Sequence, residues 1–544
     1  MPSDFAPHST IKIYKDIPLD TTYDHTLYFA DESAQQAFFD REGNANEIKF
    51  LKYTFSNQMY QRVGRGKLRI QKCADALYDC NYLSFRNIYT EQQSGNVSYP
   101  YGKTFYAFIT SVEYVNNKVT EITYEIDPMQ TWLAGVHYTF GQCFVEREHA
   151  ASDTVGDNLI DEGLELGEME YSSCTYANPN ATNKIVVAAT FDKQYNEVTG
   201  DKYGGVYSGV KLNYFDTPAQ VNNFINGAGA KINGIVCIFY APSNIVTNAN
   251  TEMIQSTFNI TKNISGTFGS YTPKNKKLYT YPYNYLYVTN FQSKTAIYKY
   301  ELFSANQNLT FLLCGAFDCN PVMVLAPQDY NTKLASGTHE YNFTEMLTLS
   351  GWPQCAFNVD IYKSWLAQSK AALPYQIASN VVSAAGGVAQ SSMKMGMDAD
   401  FTDALFSGAV SAMTSSASTV LGYLGQKASM QELGKQPRGN SSGNTMFALN
   451  KIDFGFYNVR LREQYARIID EYFTMYGYAC HRVKVPNIHA RTRWTYTKTV
   501  GCKIIGSMPC DMEDKICKIF DHGITFWTDG DEVGNYNLAN GIAF

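Results

Sequence analysis

The chain has 544 residues, of which 17% are charged and 14% are aromatic. Low charge with many aromatic rings excludes intrinsic disorder, which requires the opposite balance, and a long coiled coil, which requires heptads rich in charged and aliphatic residues. A formal net charge of −7 is also unsuited to sequence-specific nucleic-acid binding, because that affinity comes mainly from Lys and Arg. The length allows roughly three or four domains, and the excess of Tyr over Phe favours β-sheets.

Residues 1–150 are predicted to form an N-terminal β domain. The first 20 residues lack the apolar stretch of a signal peptide, so we expect none. The clearest element consists of the runs Phe105–Tyr114 and Val119–Ile126 on either side of an Asn-Asn-Lys turn. The second run alternates apolar with polar residues, and alternation around such a turn predicts a β-hairpin.

Residues 151–350 are predicted to form one or two middle β domains. Short β-like runs alternate here with clusters of Asn, Gly, Ser and Thr, as expected for strands joined by turns. The four clearest runs are Lys184–Phe191, Ile232–Tyr240, Leu278–Thr289 and Leu309–Cys314.

Residues 351–445 are predicted to be a long hydrophobic loop or helical hairpin with linkers. Two runs of 23 residues, 371–393 and 404–426, contain no charged residue and are separated by a segment with three aspartates. As helices, each run would extend about 35 Å, enough to cross a hydrocarbon layer of about 30 Å. Small residues at every fourth position of the second run would let two helices approach closely in lipid.

The same composition leaves a second interpretation of residues 371–426 open. The two runs contain few Leu, Ile and Phe and many Ser, Thr, Gly and Ala, so their free energy of insertion into a bilayer is marginal. They are equally compatible with a helical hairpin, or an apolar loop, buried inside a soluble assembly. Burial in the resting state would still allow insertion at a later stage.

Residues 446–544 are predicted to form a C-terminal α+β part after a Gly/Ser-rich linker. Apolar residues at 465, 468, 469, 472, 473 and 476 predict an amphipathic helix with these side chains inward, and Gly477 stands where a helix-ending glycine belongs. The other predictions are a strand over Thr492–Val500 and a helix over Asp511–Asp521 with Met512, Ile516, Ile519 and Phe520 inward, followed by Gly523.

No pattern of residues indicates catalysis or a metal site, so we expect a protein that is not an enzyme and has no cofactor. The twelve Cys lack the paired spacing that zinc requires, which favours buried free thiols. Glu146-Arg147-Glu148-His149 is expected to be a salt-bridge cluster at the surface or an interface, because no second metal ligand follows four residues on. The densest basic stretch, His481–Arg493, is expected to line a subunit interface.

Short motifs at both ends of the chain occur in an order that resembles a known family. They are Phe105-Tyr106-Ala107-Phe108, Glu125-Ile126-Asp127, Gln130-Thr131-Trp132, Arg147-Glu148-His149, Ile160-Asp161-Glu162-Gly163-Leu164, Gly443-Asn444-Thr445, Tyr476-Gly477-Tyr478, Arg482-Val483-Lys484, Pro486-Asn487, Gly523-Ile524-Thr525 and Gly534-Asn535-Tyr536. Over about residues 1–165 and 440–544 the chain resembles the tail knob proteins. These are the distal tail tube proteins of small short-tailed, picovirus-type phages that infect Gram-positive bacteria.

This resemblance implies a structural virion protein at the tail tip. It implies a homohexamer in which the N- and C-terminal parts form a β-tube wall in a six-fold ring, in contact with the more proximal tail proteins. Viral DNA would pass through the lumen without sequence-specific binding, and hydrophobic loops would plug the lumen and then penetrate the host cytoplasmic membrane during ejection. The side chains expected to plug and penetrate are Val381, Val382, Val388, Leu405, Phe406, Val410, Met413, Val420, Leu421 and Leu424.

Two other classes of function stay open. A tail-associated adhesin or cell-wall carbohydrate-binding protein would use the Tyr-rich middle of the chain as a sugar-binding surface, and exposed rows of aromatic rings would favour it. A secreted pore-forming toxin would need an export signal, which the first 20 residues lack.

Overall fold

The computed structural model describes residues 9–41, 50–58, 62–64, 66–87, 103–132, 138–177, 182–189, 202–203, 206–207, 210–227, 235–243, 254–304, 308–316, 322–332, 338–350, 357–359, 436–438, 453–506 and 508–543. This part of the chain consists mainly of β-strands in several sheets, which confirms the predicted mainly β fold. It divides into two compact units. Unit 1 comprises Met1–Glu165, Pro273–Lys277 and Arg467–Phe544, and unit 2 comprises Leu166–Thr272 and Leu278–Ala466.

The N-terminal part of unit 1 contains a seven-stranded antiparallel sheet. Its strands run in the order β3-β1-β6-β7-β8-β5-β4, and Asn116 pairs with Val119 across the β7–β8 turn, which confirms the predicted hairpin. The elements are β1 (Ser9–Lys15), β2 (His25–Leu27), α1 (Glu32–Phe39), β3 (Leu51–Gln58), β4 (Arg62–Gly64), β5 (Lys67–Ile70), β6 (Cys80–Arg86), β7 (Thr104–Asn116), β8 (Val119–Ile126), α2 (Pro128–Trp132), β9 (Tyr138–Phe140) and β10 (Cys143–Glu148).

Unit 2 contains sheets with the orders β11-β25-β18-β19, β15-β12-β16 and β17-β20-β21-β22, and the strand pairs β13-β14 and β23-β24. Its elements are β11 (Met169–Tyr176), β12 (Asn183–Ala189), β13 (Lys202–Tyr203), β14 (Val206–Tyr207), β15 (Lys211–Phe215), α3 (Pro218–Gly227), β16 (Ile235–Pro242), β17 (Ile254–Thr261), β18 (Asn284–Thr289), β19 (Thr295–Tyr298), β20 (Asn308–Ala316), β21 (Val322–Pro327), β22 (Leu347–Leu349), β23 (Phe357–Val359), β24 (Gln436–Arg438) and β25 (Gly455–Leu461).

The C-terminal part returns to unit 1 and joins strands from the start of the chain. It contains α4 (Glu463–Tyr476), β26 (Tyr478–Lys484), β27 (Trp494–Val500), β28 (Ile504–Gly506), α5 (Cys510–His522) and β29 (Ile524–Trp527). A five-stranded sheet has the order β2-β29-β27-β10-β26, and β28 pairs with β9. Both ends of the chain therefore contribute strands to one sheet. The helix predicted over Asp511–Asp521 is confirmed, and Ile516, Ile519 and Phe520 are buried in it.

Each unit has its own hydrophobic core, and both cores are rich in aromatic side chains. In unit 1 the fully buried Trp494 and Trp527 face each other on adjacent strands, with ring centroids 5.2 Å apart. In unit 2, Phe311 packs against Phe456 at 5.2 Å. Burying one such side chain stabilises the folded state by roughly 1.5–3 kcal/mol. The high aromatic content of the sequence is thus used in the interior.

The run Leu278–Thr289 forms a strand only in its second half. Residues Lys276–Tyr279 form a short 3-10 helix, and the strand starts at Asn284. Pro282 has no amide hydrogen to donate to a neighbouring strand. The prediction of a strand across the whole run is therefore wrong for residues 278–283, although its second half alternates between buried and half-buried side chains as expected.

Helix α4 is confirmed, but its buried face differs from the prediction. Ile468 and Tyr476, which were expected to face inward, are 62% and 38% exposed. Ile469 and Phe473 are buried as predicted, and the polar Asp470 is buried with them. Asp470 is buried because it has hydrogen-bond partners inside unit 1. The apolar periodicity of the sequence does not reveal those partners.

The two short strands β23 and β24 frame residues 360–435, within the predicted hydrophobic insert. Strands β23 and β24 pair antiparallel, with Phe357 opposite Arg438, so the chain on either side of residues 360–435 is held together. The predicted hairpin of residues 371–426 lies outside the described residues. The domain boundaries expected at residues 150, 350 and 445 stay a prediction.

Candidate functional site: the sheet shared by both ends of the chain

Strand β10 lies between β26 and β27; it ends with Glu146-Arg147-Glu148, and His149 follows it directly. Glu146 forms a half-buried ion pair with Lys498 (2.9 Å) on the neighbouring strand. Glu148 and His149, in contrast, are buried in unit 1. The expectation that the cluster lies at the surface or an interface is therefore wrong for these two residues. They are buried because the C-terminal strands pair with both edges of β10.

His149 is held as a neutral side chain. Its Nδ1 accepts a hydrogen bond from the backbone N–H of Tyr496 (2.7 Å), and its Nε2 lies 3.2 Å from the backbone oxygen of Thr474. A ring that accepts at Nδ1 carries its proton on Nε2, so both partners are satisfied only by the neutral tautomer. Burial, assisted by the charge of Arg491, lowers the pKa of His149 to about 3.

Glu162 joins three separate parts of unit 1. Its fully buried carboxylate forms ion pairs with Arg147 of β10 and with Lys277, which is itself buried. It also accepts a hydrogen bond from the backbone N–H of Ala479 in β26 (3.0 Å). Burial lowers the pKa of Lys277, and the nearby carboxylate of Glu162 opposes that shift. A buried charge cluster of this kind depends on every partner, because removing one leaves an uncompensated charge.

Asp470 of α4 binds the segment Pro273–Lys277 within the same unit. Its carboxylate accepts hydrogen bonds from the backbone N–H groups of Lys274 (2.7 Å) and Asn275 (3.0 Å) and from the side-chain amide of Asn275 (2.9 Å). That amide also donates to Thr474 Oγ1 (2.9 Å). Glu162 and Asp470 together explain why five residues from the middle of the chain are part of unit 1.

The five-stranded sheet carries a cluster of exposed apolar side chains near its β26 edge. Phe144 pairs directly with Val483 on one side and with Val500 on the other. The three side chains are 39%, 68% and 56% exposed, and the ring of His481 stacks on Phe144 with centroids 6.0 Å apart. Clusters of exposed apolar residues on several strands are typical of surfaces that bind another molecule.

The basic stretch His481–Arg493 is divided between interior and surface. Arg491 is buried, and Arg493 forms an ion pair with Glu532. Lys484 is paired with Glu148, whereas Arg482 is exposed. The stretch is therefore not a continuous basic surface, and its role in a subunit interface stays a prediction.

A second exposed surface lies on the β11-β25-β18-β19 sheet of unit 2. The rings of Tyr171, Tyr287 and Tyr457 form a triangle with centroids 5.2–6.5 Å apart. Tyr171 is 67% exposed, and the ring planes are tilted by 44–55° to one another. The surface is aromatic and polar at once, but it is not flat.

The ten residues expected to plug the lumen and penetrate the membrane lie outside the described residues. They are Val381, Val382, Val388, Leu405, Phe406, Val410, Met413, Val420, Leu421 and Leu424. Within the described ranges, no helix combines the length and apolar character needed to cross a membrane. Nor do three or more His, Cys, Asp or Glu side chains of those ranges converge as metal ligands. The cysteines of the described ranges are free thiols, of which Cys174 and Cys510 are exposed rather than buried.

Sequence reasoning missed the role of Glu162 and Asp470. Each lies in a stretch with several other charged residues, and most such residues are solvated. For Asp470 the sequence did contain a signal, since Asp470 and Thr474 lie four residues apart on the same side of a predicted helix. Apart from Arg147, the partners named above lie 115–317 positions away along the chain, which no local pattern identifies.

Two known protein families match different parts of the chain. A family described as "Bacillus phage phi29, Tail knob protein gp9, C-terminal domain" matches residues 242–541. A second family, "Caudoviral major tail protein N-terminus", matches residues 7–137.

Whole proteins match over nearly their full length. The tail knob protein gp9 of Bacillus phage phi29 is 25% identical, and that of Bacillus phage B103 is 24% identical, each alignment covering 98% of both chains. The solved structure of the bacteriophage C1 tail knob protein, gp12, has the same fold, with a TM-score of 0.62 at 15% identity over 98% of this chain and 100% of that one. The chain therefore belongs to the family of the tail knob protein gp9 of Bacillus phage phi29.

Proposed function

We propose that this structural protein of the phage tail forms the distal tail tube as a homohexameric ring, through which DNA leaves the virion. The observation that supports this best is the match to tail knob proteins over 98% of the chain. The sheet built from both ends of the chain supplies a wall element with exposed apolar side chains at Phe144, Val483 and Val500, which copies of the protein or neighbouring tail proteins would cover.

Residues 371–426 are the part of the chain that would act during ejection. They contain the two uncharged runs, and the antiparallel pair β23-β24 holds the ends of the surrounding segment together. Six such loops would plug the lumen at rest and then enter the host cytoplasmic membrane. Marginal hydrophobicity suits this sequence of events, because a more hydrophobic loop would aggregate before assembly.

The acidic character of the protein suits a conduit for DNA. A wall of net negative charge repels the phosphate backbone, so DNA would pass without being bound. A lumen lined mainly by Lys and Arg in the assembled ring would contradict this part of the proposal.

Assembly can be tested directly by electron microscopy of the purified full-length protein. A six-fold ring with an open or plugged central channel is the expected result. Analytical ultracentrifugation of the same sample at several concentrations would measure the mass of the assembly. The proposed tube would be refuted if the purified protein stays monomeric at high concentration and the protein in virions forms no ring.

Membrane penetration can be tested by release of a dye from anionic liposomes. Full-length protein is expected to release the dye, and more strongly at low pH, where the carboxylates between the two uncharged runs lose their charge. The matched variants are Val410→Lys and Leu421→Lys, which place charges in the second run at neutral and at low pH, with Ser416→Lys as a third position. Charges in the run should suppress release of the dye. Equal release by wild type and variants, or no release at any pH, would contradict membrane penetration and leave the loops only the role of a plug.

One observation favours a second candidate function, binding of cell-wall carbohydrate. In the triangle of Tyr171, Tyr287 and Tyr457, the first ring is exposed and the other two are half-buried, and sugars contact such rings and hydroxyl groups by stacking and hydrogen bonding. Tyr171→Ala should then weaken binding of the full-length protein to purified cell-wall polysaccharide at least tenfold. If wild type does not bind the polysaccharide, this surface has another role.

A further inference from the structure

Three cysteine side chains of unit 1 meet beside the turn that joins β27 to β28. Cys143 is the first residue of β10, Cys502 lies in the turn, and Cys517 lies on α5. Burial raises the pKa of all three thiols, and Cys143 and Cys517 both lie close enough to Cys502 to affect its pKa. All three are free in the structure.

The carboxylate of Asp521 fixes Cys502 against α5. Its Oδ1 accepts a hydrogen bond from the backbone N–H of Cys502 (3.0 Å), and its Oδ2 accepts one from Gly501 (3.1 Å). Cys517 comes four residues before Asp521 on the helix, and residues four apart share a helix face. The turn and the Cys517 side chain are therefore held at the same place on α5.

Cys143 lies close in sequence to two residues that contact the same turn. The neighbouring Phe144 pairs with Val500, and the backbone N–H of Gly141 donates to the oxygen of Lys503 (2.8 Å). Cys143 is only 5% exposed, whereas Cys502 and Cys517 are partly exposed. Of the three thiols, Cys502 and Cys517 are thus the pair that a small oxidant in solution can reach.

We propose that Cys502 and Cys517 form a disulfide bond once the virion has left the reducing cytosol in which it assembles, while Cys143 stays a thiol. Disulfides are stable on virion surfaces but rare inside cells, because cytosolic thiols keep proteins reduced. The bond would link the β27–β28 turn covalently to α5. It would strengthen unit 1 at the stage when the particle must survive outside a host.

The oxidation is an ordinary thiol–disulfide exchange with a small disulfide such as oxidised glutathione. The thiolate of Cys517 attacks one sulfur of glutathione disulfide and displaces a glutathione thiolate. The thiolate of Cys502 then attacks the mixed disulfide and displaces the second one. Two electrons pass from the cysteine pair to glutathione disulfide, and the two thiol protons end on two molecules of glutathione.

Tryptic peptide mapping tests the proposal on the full-length protein. The protein is purified in reductant, equilibrated with glutathione buffers of increasing oxidation, and alkylated before digestion. Trypsin separates all three cysteines, because Cys502 lies in the peptide Thr499–Lys503 and Cys517 in the peptide Ile516–Lys518. The expected product is these two peptides joined by a disulfide, with Cys143 alkylated. Because the thiolate is the reactive form, oxidation should accelerate about tenfold per pH unit below the thiol pKa.

The variants Cys517→Ser and Cys510→Ser form a matched pair on one helix. Cys517→Ser should abolish the crosslink and the oxidation-dependent rise of the melting temperature, whereas Cys510→Ser, at an exposed position, should leave both unchanged. Circular dichroism of reduced Cys517→Ser checks that it folds. The proposal is overturned if Cys502 and Cys517 stay alkylated at every glutathione ratio, or if oxidation joins a different pair of cysteines.

Discussion

Replacing Glu162 by Gln should destabilise unit 1 more than its small chemical change suggests. The substitution removes the negative charge that faces Arg147 and Lys277 but keeps the size of the side chain. Arg147 retains its hydrogen bond to the Gly477 oxygen (2.8 Å). Lys277, only 2% of whose side chain is exposed, retains its hydrogen bond to the Ile160 oxygen (2.7 Å) but loses its ion pair with Glu162. Removing one member of a buried ion pair costs about 3–5 kcal/mol, and we expect a loss in that range.

The measurement is urea unfolding followed by tryptophan fluorescence. Three of the five tryptophans, Trp132, Trp494 and Trp527, belong to unit 1, so unfolding of the unit that contains Glu162 dominates the change in signal. The control is Glu165→Gln, which removes an exposed carboxylate three residues away and should change the free energy of unfolding by less than about 0.5 kcal/mol. In the double variant Glu162→Gln/Lys277→Met the loss should be smaller than the sum of the two single losses by about 1–3 kcal/mol.

The pH dependence provides an independent check on the same variant. Burial already lowers the pKa of Lys277, and loss of the carboxylate would lower it further. A lysine whose folded-state pKa is depressed makes the protein more stable as the pH rises toward the unfolded value of about 10.4. The variant should therefore regain part of its lost stability between neutral pH and pH 10. If Glu162→Gln and Glu165→Gln are equally stable at every pH, the buried ion cluster does not stabilise the unit.

Two further predictions concern the junction between α4 and β26. Because burial lowers the pKa of His149 to about 3, the unfolded chain takes up a proton between pH 6.5 and 3 that the folded chain does not. Stability should therefore fall by about 1.4 kcal/mol per pH unit within this window, and His149→Gln should remove that slope in acid unfolding titrations. Gly477 and Gly501 both have positive φ, +65° and +67°, but a Cβ at Gly477 would lie 2.2 Å from the Glu148 oxygen, whereas nothing lies within 4 Å at Gly501. Gly501→Ala should cost only the left-handed backbone term of about 1–2 kcal/mol, and Gly477→Ala should cost clearly more by thermal unfolding; equal losses would contradict the close approach.

The exposed apolar side chains of the five-stranded sheet are expected to act in assembly. On an isolated chain, Phe144, Val483 and Val500 would be a liability, because an apolar cluster near a sheet edge invites aggregation. In the assembly proposed above, another copy of the protein or a neighbouring tail protein would cover this cluster. Charged substitutions there should reduce assembly into particles without lowering the stability of the single chain, and native mass spectrometry together with thermal unfolding separates the two effects.

The sequence by itself determined the elements whose signals are local. The β7–β8 hairpin follows from period-two alternation around a short turn, and the ends of α4 and α5 follow from Gly477 and Gly523, which adopt φ of +65° and +103°. The uncharged runs of 371–426 are likewise evident from composition alone. In each case the decisive residues lie within about a dozen positions of one another, so short-range physics is sufficient.

Only the tertiary structure decided what lies inside each unit. Glu162, Asp470 and His149 resemble ordinary surface residues in the sequence, yet they are buried because their partners come from distant parts of the chain. In α4, Ile468 is therefore exposed and Asp470 is in the interior. A buried carboxylate is stable only where several donors converge on it, and such convergence is a property of the folded chain rather than of any segment. Low charge and abundant aromatic residues in the sequence predicted a large β protein. Which of its few charged side chains are buried was decided by packing in the folded chain.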